Sequence, residues 1–187
     1  VSATYPATDA TAGEKERGTL ETLLTFPIKS KDIIIGKLLS VTLSSIITGV
    51  LGLILSVLAI LYVGNTYDIY SGSTLLNASI IIYALIIIIA YSIMISGLCI
   101  AIASMSASFK EAQSALTPLT FIAFFPGMIV FMIDISNNAI LSLIPFINFS
   151  MIFTDVTNNN LNILYLILMF ISTIVIITIV ITYIIRQ

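Results

Sequence analysis

Four stretches of this sequence are long, apolar and free of charge: residues 38–63, 79–105, 115–133 and 161–185, of 26, 27, 19 and 25 residues. As helices rising ~1.5 Å per residue they reach roughly 28 to 40 Å, against a hydrocarbon core of ~30 Å. None contains Asp, Glu, Lys or Arg. A water-soluble domain carries about 25% charged residues, and this chain carries 9%. In lipid the backbone must satisfy its own hydrogen bonds, so the runs read as helices. A membrane β-barrel needs short alternating segments, and runs such as 80–89 do not alternate. The fold class that follows is an all-α polytopic membrane protein with four transmembrane helices.

A fifth apolar run, 139–153, is too short to span and is interrupted by Pro145 and Asn148. It reads as a short re-entrant segment. With four spans, Lys15, Arg17, Lys29, Lys31, Lys37, Lys110 and Arg186 all fall on one side, and the other side carries only Asp68, Asp134 and Asp155. Basic loops stay in the cytoplasm, so the N-terminal segment, the Lys110 turn and the C-terminus are expected there. The re-entrant segment then faces outward. Small residues recur within the spans, Gly49 and Gly52 in the first and Ser92, Ser96, Gly97, Ala101 and Ser104 in the second, at spacings that let helices pack closely. Pro126 and Gly127 fall mid-way along the third, where they predict a kink with a gating role.

Composition excludes several chemistries. The chain has no histidine and one cysteine, which rules out a Ser-His-Asp triad, an HExxH zinc site and an intrachain disulfide. A net charge of −2 is the wrong sign for nucleic acid. The sequence opens at Val1 without a signal-peptide pattern and reads as a fragment or a processed form.

Ten of the sixteen charged residues lie in residues 9–37, which we take as a cytoplasmic unit (1–37) ahead of the transmembrane domain (38–187). Thr11 and Glu14 fit a capping box, and the spacing predicts an amphipathic helix from there to Pro27. Leu20, Leu23 and Leu24 share one face of that helix, and Glu14, Arg17 and Glu21 another. Such a helix lies in the lipid headgroups or docks on another protein; its mixed charge favours the second. A tight elbow at Pro27 leads to the first span near Gly36 and Lys37.

The run from Ala12 to Ile28, AGEKERGTLETLLTFPI, followed by Gly36 and Lys37, closely resembles the signature of ABC type-2 exporter permeases, especially sodium-efflux permeases of the NatB-like kind. The resemblance implies that Glu14, Lys15, Glu16, Arg17, Gly18, Thr19, Leu20, Glu21 and Leu24 form a coupling helix seated on a cytoplasmic ABC ATPase subunit. Pro27, Gly36 and Lys37 would form its elbow. It further implies plasma-membrane residence and pairing of permeases as a homodimer or heterodimer. ATP and magnesium would sit on the partner, with no cofactor bound by this chain. Family members carry a span, an external domain and a second span ahead of the signature, so the chain resembles the C-terminal part of a permease. Gly36 and Lys37 do not end a phosphate-binding loop, since Lys31 stands where Gly is required and Leu38 where Ser or Thr is. The rival reading is an ATP-independent secondary transporter or channel, which usually needs an ionisable group within its spans.

Overall fold

The computed structural model describes residues 2–67, 78–133, 137–158 and 160–186; Asp68 and Asp134 lie outside them. All regular structure among the described residues is helical. The N-terminal helix comprises α1 (Thr4–Thr8), a π-helical turn (Asp9–Gly13) and α2 (Glu14–Glu16). Then come α3 (Thr19–Leu24), α4 (Ser30–Tyr67), α5 (Ala78–Met105), α6 (Phe109–Met132), α7 (Ala139–Leu143), α8 (Ile147–Thr157) and α9 (Ile163–Arg186). Among the described residues, four helices are long and apolar enough to cross a membrane: Ser30–Val63, Ser79–Met105, Phe109–Met132 and Ile163–Ile184.

Helix α5 is the centre of the bundle, packed by α4, α6, α8, α9 and the N-terminal helix. Its small residues allow this. Ala84, Ala90, Ser92, Ser96, Cys99 and Ala103 are all buried, so neighbouring helices approach on several sides. The other spans turn large apolar side chains outward, as Leu43, Ile47, Leu51 and Leu55 do along α4 and Phe121, Phe124 and Phe125 do on α6. Such a surface suits hydrocarbon and would be costly in water. Tyr91 of α5 stands edge-on to Phe149 at 4.8 Å and donates a hydrogen bond to the Ala123 carbonyl of α6 at 3.3 Å.

The first correction to the sequence reading concerns the N-terminus. Thr11 does not cap a helix; it sits in the middle of one, and its hydroxyl donates to the Ala7 carbonyl at 2.6 Å. The helix starts at Thr4, and Ala3, Ala7, Thr8, Thr11 and Ala12 are buried. Ala3, Ala7 and Ala12 join one apolar core with Val41, Cys99, Ala103 and Leu116 from α4, α5 and α6. This stretch therefore packs against the spans. Alanine and threonine at these places look like a polar loop in a linear sequence. Against another helix their small size is what permits contact.

The short apolar run folds as two helices, α7 and α8, and extends to Thr157. Pro145 and Phe146, whose φ is +71°, make the break. Asn148 does not interrupt the run. It is fully buried within α8, donating to the Ser142 carbonyl at 3.3 Å and the Ser172 hydroxyl at 2.9 Å, and accepting from the Phe149 amide at 2.8 Å. A buried amide is tolerated when its polar atoms are partnered, and here it ties α8 to α9. Beside it Asn137 donates to the Asp155 carboxylate at 2.7 Å.

The two glycines of the first span differ. A Cβ on Gly49 would come within 2.7 Å of the Ile88 methyl on α5, whereas nothing lies within 4 Å of one on Gly52. Overpacking of a close helix contact costs about 1–3 kcal/mol. Gly49→Ala is expected to lower the thermal unfolding midpoint in detergent, and Gly52→Ala to leave it unchanged or raise it slightly.

Candidate functional site

Residues 14–37 gather at one end of the bundle, together with Lys110 and the C-terminal end of α9; the Tyr183 hydroxyl donates to the Met105 sulfur at 3.6 Å. Gly18 divides the segment. Its φ is +70°, a left-handed conformation that glycine adopts freely. The expected single helix over 14–24 is thus two pieces, α2 and α3, turned against each other at Gly18. Thr19 spans the break, its hydroxyl donating to the Glu14 carbonyl at 3.2 Å.

Before the turn, consecutive charges reach different helices. Glu14 pairs with Lys37 of α4 at 2.5 Å, with side chains 26% and 15% exposed. Lys15 donates to the Ser104 carbonyl, and at 3.4 Å to that of Ser106, at the C-terminal end of α5. Glu16 accepts from the Phe109 amide, the first residue of α6, at 2.8 Å. Helix ends leave carbonyls free at the C-terminus and N–H groups free at the N-terminus, and the macrodipole adds charge of matching sign. A cation on the end of α5 and an anion on the start of α6 are the complementary choice. Lys15 and Glu16 thus straddle the connection between two antiparallel spans.

That connection is itself capped. Ser108 accepts from the Glu111 amide at 3.3 Å, and the Glu111 carboxylate accepts from the Ala107 amide at 2.8 Å. The Ser-x-x-Glu pattern at 108–111 was legible as a capping box and starts α6 at Phe109, ahead of the expected residue 115. Arg17 pairs with Asp9 at 2.9 Å, a contact the sequence reading missed. Both side chains are about half exposed, so the pair contributes no more than ~1 kcal/mol. Gly13 lies beneath it: a Cβ there would sit 3.2 Å from the Asp9 carboxylate and 3.3 Å from the Arg17 guanidinium.

The remaining predicted residues divide. Leu20 is half-buried and faces a pocket of about 290 Å³ with Lys15, Lys37, Ile33, Ile100 and Ile184. Thr19, Glu21 and Thr22 are exposed. Leu24 ends α3, Pro27 lies in the gap before α4, and Gly36 is exposed with open space around it. Pro126 and Gly127 belong elsewhere. Helix α6 runs through both Pro118 and Pro126, and a Cβ on Gly127 would stand 3.1 Å from the Ser150 hydroxyl of α8. That glycine makes room for the α7–α8 hairpin.

Over residues 2–183 the sequence matches the model of the family described as "ABC-2 family transporter protein". The chain belongs to this ABC-2 transporter family. It is 34% identical over 157 residues to the ABC transporter permease protein NatB of Bacillus subtilis (strain 168), an alignment covering 82% of this chain and 40% of that protein. The ABC-2 chain thus spans well under half the length of this relative. No solved structure matches it.

A side chain with a Cβ pays about 1–2 kcal/mol to hold the left-handed conformation at Gly18, and asparagine less than most. Gly18→Val is expected to speed tryptic cleavage at Arg17, and Gly18→Asn to leave the cleavage rate close to that of the parent.

Proposed function

We propose that this chain is part of the permease subunit of an ATP-driven exporter, carrying no ATP site of its own and working with a cytoplasmic ABC ATPase. Family membership supports the permease role. The observation that carries the coupling is the exposed turn at Gly18–Thr22, held by contacts of Glu14, Lys15 and Glu16 to Lys37 of α4, the C-terminal end of α5 and the first residue of α6. The positive-inside rule supports a cytoplasmic position for the basic end, the side on which an ATPase would bind. On this reading, closure of the ATPase moves α3 and the attached spans follow. The short stretch from Pro27 to Ser30 keeps the attachment stiff.

Sodium is the cargo we propose. The resemblance to sodium-efflux permeases points to it, and α6 offers oxygens of the kind hard cations prefer. Gln113, Ser114, Thr117 and Thr120 line a groove of about 550 Å³ with Thr4 and Lys110. An apolar cargo has its own support in a groove of about 730 Å³ between α4, α5 and α8, lined by residues such as Ile60, Ala84, Ile87 and Phe153. A secondary carrier is disfavoured because Asp, Glu and Lys residues of the described spans lie at their ends rather than mid-membrane.

Two measurements test the proposal. The full-length permease is expected to co-purify with an ABC ATPase, and Glu21→Lys combined with Thr22→Glu to lose it while inserting normally. Retention of the ATPase by that variant would count against docking at the exposed turn. In vesicles of the complex, ATP should drive sodium rather than a hydrophobic dye; dye movement alone would transfer the assignment to an apolar cargo.

A further inference from the structure

The resemblance treats the whole run from Glu14 to Leu24 as the surface that meets the ATPase. The geometry divides it. Glu14, Lys15 and Glu16 spend their polar atoms on Lys37 of α4, on the carbonyl end of α5 and on the first amide of α6. Exposure is shared by both parts, since Lys15, Glu16, Thr19, Glu21 and Thr22 are all exposed; what divides them is that Glu14, Lys15 and Glu16 bond to the spans.

We propose that Glu14, Lys15 and Glu16 are positioning residues that clamp the coupling turn to three spans, and that the ATPase is met by the far side of Gly18. This rests on the permease reading above and adds a division of labour within the motif. Two of the three contacts fall on helix ends, where a helix leaves backbone groups without partners of its own; the third pairs Glu14 with the Lys37 side chain two turns into α4. The clamp's consecutive spacing matters too. Adjacent residues on a helix point ~100° apart, so Glu14, Lys15 and Glu16 reach three different neighbours without bending the backbone. A push on α3 is then shared among α4, α5 and α6, and does not fall on α4 alone through the elbow.

The pairing of Glu14 with Lys37 is the most direct test, because exchanging the charges preserves attraction while reversing both faces. In the full-length permease with its ATPase, Glu14→Lys and Lys37→Glu should each keep the partner in co-purification yet reduce permease-dependent stimulation of ATP hydrolysis about tenfold, within the usual range of coupling between sites. The Glu14→Lys/Lys37→Glu double variant should recover most of that stimulation. Glu16→Gln, which still offers a carbonyl oxygen to the Phe109 amide, should stay near the parent where Glu16→Ala does not. Loss of the ATPase in the single variants with no recovery in the exchange would make these residues docking groups and overturn the proposal.

A second measurement needs no partner. Spin labels on Thr22→Cys and Ala107→Cys, in a Cys99→Ser background, should give a narrow distance distribution in the parent and a broad one with Glu14→Lys and Glu16→Ala. Equal widths overturn the clamp, whether or not an ATPase is found; a parent that binds no ATPase but shows the narrow distribution counts against the permease reading alone.

Discussion

Hydrocarbon allows no unpaired backbone amide or carbonyl, and this requirement organises the whole molecule. It forces the long apolar runs into helices and leaves their ends as the places where polar chemistry can take hold. At one end the chain answers with Lys15 on the carbonyls that close α5 and Glu16 on the amide that opens α6. At the other, Asn148 ties the α7–α8 hairpin to α9, and Asn137, just ahead of α7, bonds to Asp155 of α8. Between the two ends the bundle is held by close approach of small residues, Gly49 of α4 against Ile88 of α5 and Gly127 of α6 against Ser150 of α8 among them.

The same constraint explains why the spans were legible in the sequence. Charge inside lipid is expensive, so the absence of Asp, Glu, Lys and Arg over 79–105 or 161–185 marks a membrane segment almost by itself. The ends were less well placed. The first and third helices run further toward the charged end than the apolar runs do, because Ser30 and Ser108 begin them among polar residues. Periodicity of apolar residues carries no information there; capping does, and the Ser108 to Glu111 pattern held that signal.

The N-terminal helix was not legible, for a different reason. Ala3, Ala7, Thr8 and Thr11 are neither strongly apolar nor charged, and their burial depends on who their neighbours are. In the candidate site, residue types were legible and directions were not. Alternating charges at 14–17 fit an exposed docking face equally well, and only the ends of α5 and α6, about 90 residues on, show that Lys15 and Glu16, though exposed, bond to the spans. Gly127 carries a packing role that its place beside a proline did not announce, since a Cβ there would crowd Ser150 of α8.

The π-helical turn at Asp9–Gly13 ties these observations together. Such a turn holds about one residue more than the α-helical turns on either side, and each residue accounts for ~100° of rotation. It therefore works as a phase adjuster: the stretch that packs Ala3 and Ala7 into the core and the stretch that aims Glu14, Lys15 and Glu16 are each in register with their own neighbours, though no regular helix would serve both. The frame for the charged turn is set by the buried packing of Ala3, Ala7 and Ala12, in the stretch that runs directly into Glu14.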